Sequence, residues 1–325
     1  MERRGGTVIN QLLRNKSFMF GFLFIFILLT ASFIWPLVGG KEVKQVTAEY
    51  ENGDIISVPP YAPSSDFILG SNEHGKDHFQ MLVYGAKYTY LAVFGIAAIQ
   101  LLVGLLIASL IGTYLSKCIA RIEPFFDVFN FVPIVVLAFF ILNPMITIYS
   151  DGFNMFESSF YERVIFQILL LACLGMPTVI FYIAKEINKT FATEYAASAK
   201  VLGGSRLHIL LVHVFPNIRG KCLLLFIQQL IQTMLILTTL GVMEIYFGGT
   251  VLYPETDNRP TSFTNEWSGL LGGVFRWMNS HPWMILSPVI FISLTVLSFK
   301  LMIMGLENVL NNNRRVYKAP GNETK

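Results

Sequence analysis

Six segments of this chain are apolar over lengths that suffice to cross a lipid bilayer, and this constrains its fold more than any motif does. A hydrocarbon core about 30 Å thick needs roughly 20 apolar residues per helix. The segments run from about Phe18 to Val38, Leu82 to Leu115, Phe125 to Tyr149, Val164 to Ala184, Cys222 to Phe247 and Trp283 to Leu306. Lipid offers no partner to an open backbone group, so each is expected to be a helix. The expected class is an all-α polytopic membrane protein with six transmembrane helices. Composition agrees: 54% of the 325 residues are hydrophobic and 14% charged, where a soluble domain carries about a quarter charged residues. The mean hydropathy is +0.56. A soluble enzyme, a disordered chain and a secreted disulfide scaffold are thereby excluded. The first segment is too long for a signal-peptide core and lacks a small-x-small cleavage site, so it reads as an uncleaved anchor.

Orientation follows from the basic residues between the spans. With the N-terminus inside, the inner segments hold Arg3, Arg4, Arg14, Lys16, Lys117, Arg121, Lys185, Lys189, Lys200, Arg206, Arg219, Lys221, Arg314, Arg315, Lys318 and Lys325, which is 16 residues. The outer segments hold Lys41, Lys44, Lys76, Lys87, Arg163, Arg259 and Arg276, which is 7. Both termini are therefore expected in the cytoplasm. The net charge of +3 is too small to argue for a nucleic-acid partner. Cys118, Cys173 and Cys222 show no metal-ligand spacing and read as inert apolar residues.

The inner loop from Lys185 to Lys221 is the most informative stretch. Thr193 is placed to cap a helix, with Glu194 in the favourable first turn. Ala196, Ala197, Ser198 and Ala199 give that helix a small-residue surface, and Gly203-Gly204 stop it. Ser205 is placed to cap a second helix, on which Leu207, Leu210, Leu211 and Val214 recur as one apolar stripe. Pro216 is expected to break that helix, with Asn217 beyond it. The bland reading is a hairpin that only connects two spans.

The loop resembles the cytoplasmic coupling segment of ABC importer permeases. In that family Glu-Ala-Ala is followed by three residues, Gly, nine residues, an Ile-like residue, one more residue, then Leu-Pro. Ala197-Ser198-Ala199, Gly203, His213, Phe215 and Pro216 meet both spacings. Ala197 takes the place of the family's docking Glu, and Glu194 lies one helical turn earlier. The resemblance extends over residues 67–310 and is nearest to the second permease subunit of dipeptide and oligopeptide importers, a group shared with nickel and metallophore importers. It is carried by Leu69-Gly70-Ser71-Asn72-Glu73-His74-Gly75-Lys76-Asp77, Tyr84-Gly85-Ala86-Lys87, Trp267-Ser268-Gly269, Pro282-Trp283 and Leu294-Thr295-Val296-Leu297-Ser298-Phe299. Glu244-Ile245-Tyr246-Phe247-Gly248-Gly249 departs from the family's Leu-Ser-Phe-Leu-Gly-Leu-Gly at the end of span five.

The resemblance implies a type I importer permease fold. It implies an anchor and outer loop over residues 1–66, a permease domain over 67–310 with the coupling loop at 185–221, and a cytoplasmic tail at 311–325. It implies a second homologous permease, two ABC ATPase subunits and an extracytoplasmic substrate-binding protein as partners. This chain would bind no cofactor, ATP and magnesium being used by the ATPases. Short peptides are the expected cargo. A nickel or metallophore importer permease and a transport-inactive scaffold or sensor of the same fold are the alternatives.

The chain's own chemistry agrees. Gly220-Lys221-Cys222 lacks the upstream glycine and the hydroxyl residue of a phosphate loop. His74 and His78 are separated by Gly75 and read as no metal site, and no nucleophile, base and acid converge. Within span five, Gln228 and Gln232 share a face. With Thr233 and Glu244 they are candidates for a substrate path, because glutamine bonds amides in either direction. Interhelical glue is the equal alternative for Gln228, Gln232 and Thr233, a place in the headgroup layer is the alternative for Glu244, and glue is the preferred reading for Gln100, Asn143 and Gln167. Gly85, Gly95, Gly104 and Gly112 are expected to notch span two for close packing.

Overall fold

The computed structural model of the chain describes residues 8–38, 43–51, 54–115, 124, 133–149, 156–253 and 259–318. Helix α1 (Val8–Arg14) leads into α2 (Lys16–Val38), the first span. A hairpin of β1 (Glu49–Glu51) and β2 (Asp54–Ser57) precedes α3 (His78–Tyr114). Then come α4 (Ile134–Ile146), β3 (Thr147–Tyr149) and α5 (Phe160–Phe191). Helices α6 (Glu194–Val201) and α7 (Arg206–Ile209) form a bend, and a π-helical turn (Leu210–Val214) joins α7 to α8 (Phe215–Val242). Strands β4 (Thr250–Tyr253) and β5 (Arg259–Ser262), short helix α9 (Trp267–Leu271) and α10 (Trp283–Lys318) complete the chain.

Five helices among the described residues are long and apolar enough to cross a membrane: Lys16–Val38, His78–Tyr114, Phe160–Phe191, Arg206–Val242 and Trp283–Asn312. They match five of the six expected spans. Part of the third expected span, residues 125–132, lies outside the described residues. The rest is the 13-residue helix α4, about 20 Å long, and its expected last turn is instead strand β3.

The all-α expectation is also corrected in the loops. β1 and β2 pair antiparallel, and β3, β4 and β5 form a sheet in which β3–β4 is parallel and β4–β5 antiparallel. Chain packed onto the helix ends must satisfy its backbone groups, and short strands do so where no helical period is available.

Local chemistry sets the helix ends. Asp77 Oδ1 accepts from the backbone of Phe79 at 2.9 Å and Gln80 at 3.2 Å, starting α3. Ser159 and Glu162 form a reciprocal capping box on α5. Small residues then let the helices meet. A side chain at Gly104 would come within 2.9 Å of Val179, and one at Gly112 within 2.8 Å of Ile187, so α3 lies closely against α5 as its glycine notches led us to expect. Gly95 faces Ile168 of the same helix, whereas Gly85 faces the backbone of Asn265 ahead of α9. On α2, Gly21 rests against the Ser298 carbonyl of α10, while Phe20, Phe22, Phe26 and Phe33 point outward.

Trp267 is wholly buried and pins α9 into the bundle. Its Nε1 donates to the Leu82 carbonyl at 2.7 Å, its backbone N–H to Thr89 Oγ1 at 3.0 Å, and its ring meets Tyr90 and Phe291 edge-on. Gln100 donates to the Leu171 carbonyl across α3 and α5, bearing out its reading as glue. Asn143 instead accepts from Thr147 one turn along the chain. The bundle has two ends: the β3–β5 sheet and the start of α3 lie at one, and the α6–α7 bend at the other. Gly305 packs on Phe18 and Gly220 on Leu310, so the start of α2 and the end of α10 lie at the bend end.

Candidate functional site

At the bend, α6 starts at Thr193, whose backbone is extended as an N-cap requires. Its hydroxyl does not cap the helix. It donates back to the Thr190 carbonyl at 2.6 Å, ending α5, which corrects the capping expectation. Glu194, Ala197 and Ser198 are exposed; Ser198 Oγ donates to the Glu194 carbonyl at 2.8 Å. Ala196 is buried on the opposite face and Ala199 is half-buried. The turn is made at Gly203, where φ is +85°. The N–H groups of Gly203 and Gly204 bond back to the Lys200 and Ala199 carbonyls at 3.1 and 3.0 Å, closing the helix end. Ser205 caps α7 as expected, accepting from His208 N at 3.2 Å.

The second arm departs from expectation at two points. Pro216 breaks nothing: it occupies the first turn of α8, and the helix runs without interruption from Arg206 to Val242. The π-helical turn absorbs it, with Phe215 N–H bonded five residues back to the Leu210 carbonyl, so the proline ring meets a widened turn rather than a tight one. The expected single apolar stripe is split. Leu210 and Val214 are buried with Ile209, while Leu207 and Leu211 are more than half exposed. His213 is half-buried in the π turn, its ring edge-on to His208.

Two contacts unreadable in the sequence tie the arms together. Asn217 Nδ2 donates to the Tyr195 hydroxyl at 2.7 Å. Lys221 pairs with Glu186, joining the base of α8 to the end of α5. At the tip Val201 and Leu202 are each 87% exposed, two large apolar side chains presented on a rigid support. No helical periodicity marks either residue in the sequence.

From Gln228 to the end of α8 the exposed positions are Gln228, Gln232, Leu235, Thr239 and Val242, one stripe at helical spacing. Thr239 satisfies its hydroxyl on the Leu235 carbonyl at 2.8 Å. Among the described residues Gln228 and Gln232 have no hydrogen-bond partner. Two bare amides facing hydrocarbon would cost several kcal/mol each, so this face calls for a polar counterpart. Thr233 is 2% exposed and points into the chain's own core, away from the stripe. Glu244 lies just past the helix, exposed, with φ at +65°.

The loop after Glu244 is held by buried polar groups. Gln167 donates to the Tyr246 carbonyl at 3.0 Å and accepts from Gly248 N at 2.7 Å, which makes it glue. Arg163 Nε donates to the Gly248 carbonyl at 2.8 Å. Glu266, 1% exposed, accepts from the backbone of Phe247 and Ser268 and from the Ser268 hydroxyl. Burial pushes its carboxyl pKa up, and those hydrogen bonds offset the shift in part.

Residues 100–316 match the sequence profile of the family described as "binding-protein-dependent transport system inner membrane component". The chain is similar to the Di/tripeptide transport system permease protein DppC of Pseudomonas aeruginosa, at 22% identity over 91% of this chain and 88% of that protein. It is similar to the Peptide transport system permease protein SapC of Haemophilus influenzae, at 25% identity over 76% of this chain and 75% of that protein. It is also similar to the Dipeptide transport system permease protein DppC of Bacillus subtilis, at 21% identity over 94% of this chain and 84% of that protein.

Proposed function

The chain belongs to the binding-protein-dependent transport system inner membrane components, a multi-pass membrane family, and on that premise we propose that it is one permease subunit of an ATP-driven importer of short peptides. The relatives named as di- and tripeptide, dipeptide and peptide permeases support the cargo class. The bend end of the bundle is the cytoplasmic one, with both termini, on the 16-to-7 bias of basic residues. A distinct but homologous permease stands against the Gln228–Gln232 stripe, and the substrate path runs between the two. An extracytoplasmic binding protein delivers the peptide at the sheet end. Two ATPase subunits, using ATP and magnesium, grip the α6–α7 bend.

The observation that carries this reading is mechanical. The bend presents the exposed side chains of Ala197, Ser198, Val201 and Leu202, and its second arm is one uninterrupted helix with the span bearing the polar stripe. Displacement of the tip by a partner is passed through the Gly203–Gly204 turn to the helix that carries Gln228 and Gln232. With Ala197 in the docking position, contact at the tip rests on shape and apolar area, and Glu194 supplies the nearby charge. Purification of the tagged full chain is expected to bring along a second permease and two ATPases. Proteoliposomes of that complex are expected to take up labelled dipeptide only with the binding protein and ATP. A chain that purifies without ATPases would support the transport-inactive scaffold instead.

A further inference from the structure

Behind the bend, the end of α3, the end of α5 and helices α6 and α7 enclose a cavity of about 270 Å³. This is below the range of drug-sized ligand sites, so its occupant is small. Its polar lining includes Thr113, Asn188, Lys200 and Arg206, with no acidic side chain. Both cationic residues are solvent-exposed. Among the described residues Lys200 has no ion-pair partner, Arg206 meets only the Thr113 carbonyl at 3.4 Å and the Tyr114 ring at 6.0 Å, and Glu186 is committed to Lys221. Thr113 is 6% exposed, and its buried hydroxyl has no hydrogen-bond partner. A buried hydroxyl without a partner costs about 1–3 kcal/mol.

Two cations with no acidic partner among the described residues, lining one cavity with an unsatisfied hydroxyl, form a donor set for an oxyanion. The guanidinium fork suits phosphate, and lysine adds a point charge. Directly after the lining residues Gly112 and Thr113, α3 ends at Tyr114 and Leu115, an exposed aromatic–aliphatic pair at the end of a span, which is the depth of lipid headgroups. We infer that this pocket binds a phosphate group, as the phosphodiester of an anionic membrane lipid or as free phosphate, clasped between the end of α3 and the bend. A seated phosphate ties Lys200 and Arg206, one on each arm, to Thr113 of the span, and so stiffens the bend. Binding itself does not depend on the transport reading; only its consequence for coupling does.

The test uses the purified full chain. Inorganic phosphate is expected to raise its thermal midpoint above that in chloride at matched ionic strength. Nanodiscs containing phosphatidylglycerol are expected to stabilise it beyond phosphatidylcholine alone. Lys200→Gln and Arg206→Gln should each weaken the response about tenfold or more, and the near-isosteric Thr113→Val should weaken it less. Lys189→Gln, a neighbouring charge outside the pocket, should leave it unchanged. A response to lipid alone assigns the headgroup, and a response to both assigns phosphate in general. No response to either, or an equal loss with Lys189→Gln, overturns the site. If the pocket variants keep both responses but lose ATPase co-purification, the pocket belongs to the ATPase and the inference falls. A chain that binds phosphate yet recruits no ATPase leaves the inference standing and overturns only the coupling reading.

Discussion

Replacing Gly203 tests the lever directly. Its φ is +85°, and a Cβ built there meets no atom within 4 Å. A substitution therefore adds no clash, and its whole effect is the backbone preference of the new residue. For an L-residue in the left-handed region this is roughly 1–2 kcal/mol, more for β-branched valine, whereas asparagine tolerates the conformation. That strain shifts the turn's equilibrium about 5- to 30-fold. It acts on the closure in which Gly203 and Gly204 bond back to α6. In the reconstituted complex, Gly203→Val should hydrolyse ATP near the wild-type rate while uptake per ATP falls several-fold, and limited proteolysis should cut near residue 203 sooner. Gly203→Asn should restore most of the coupling, and Gly203→Ala should lie between. If all three keep the wild-type ratio of peptide to ATP, the bend does not transmit motion and the lever is refuted.

Further outcomes follow from other sites. Gln228→Leu with Gln232→Leu should leave the isolated chain at least as stable in detergent while cutting uptake tenfold or more, because the stripe faces out of this subunit; unchanged uptake would remove it from the path. Trp267→Ala should destabilise by about 3–5 kcal/mol, read as a fall in thermal midpoint, since that ring is wholly buried and its N–H is bonded to Leu82. Burial raises the Glu266 pKa above its ordinary value, so the folded loop holds that proton to higher pH than the unfolded chain does. Its stability contribution is then complete below the unfolded carboxyl pKa and lost as pH rises through the raised one. Protection of the 244–250 amides from hydrogen exchange should fall over that window, and Glu266→Gln should flatten the dependence.

The amino-acid sequence by itself determined the number and place of most spans, because apolar length against bilayer thickness is a one-dimensional property. It located the bend for a similar reason: Gly203 and Ser205 act on backbone atoms within a few residues of themselves. It could not tell Leu207 and Leu211 from Leu210 and Val214, since all four obey one helical spacing and only the packing of α3 and α5 buries two of them. Thr233 shares the chemistry of Thr239, yet the one is buried and the other lies on the stripe, because α8 offers opposite faces to its own bundle. The proline rule failed at Pro216 because a π turn, which no local pattern announces, widened the helix where the ring sits. The tie between Asn217 and Tyr195 spans 22 residues, and the unsatisfied Thr113 hydroxyl sits beside Arg206, 93 residues along the chain. Those features belong to the tertiary structure alone, because burial and polar satisfaction depend on what another helix places alongside.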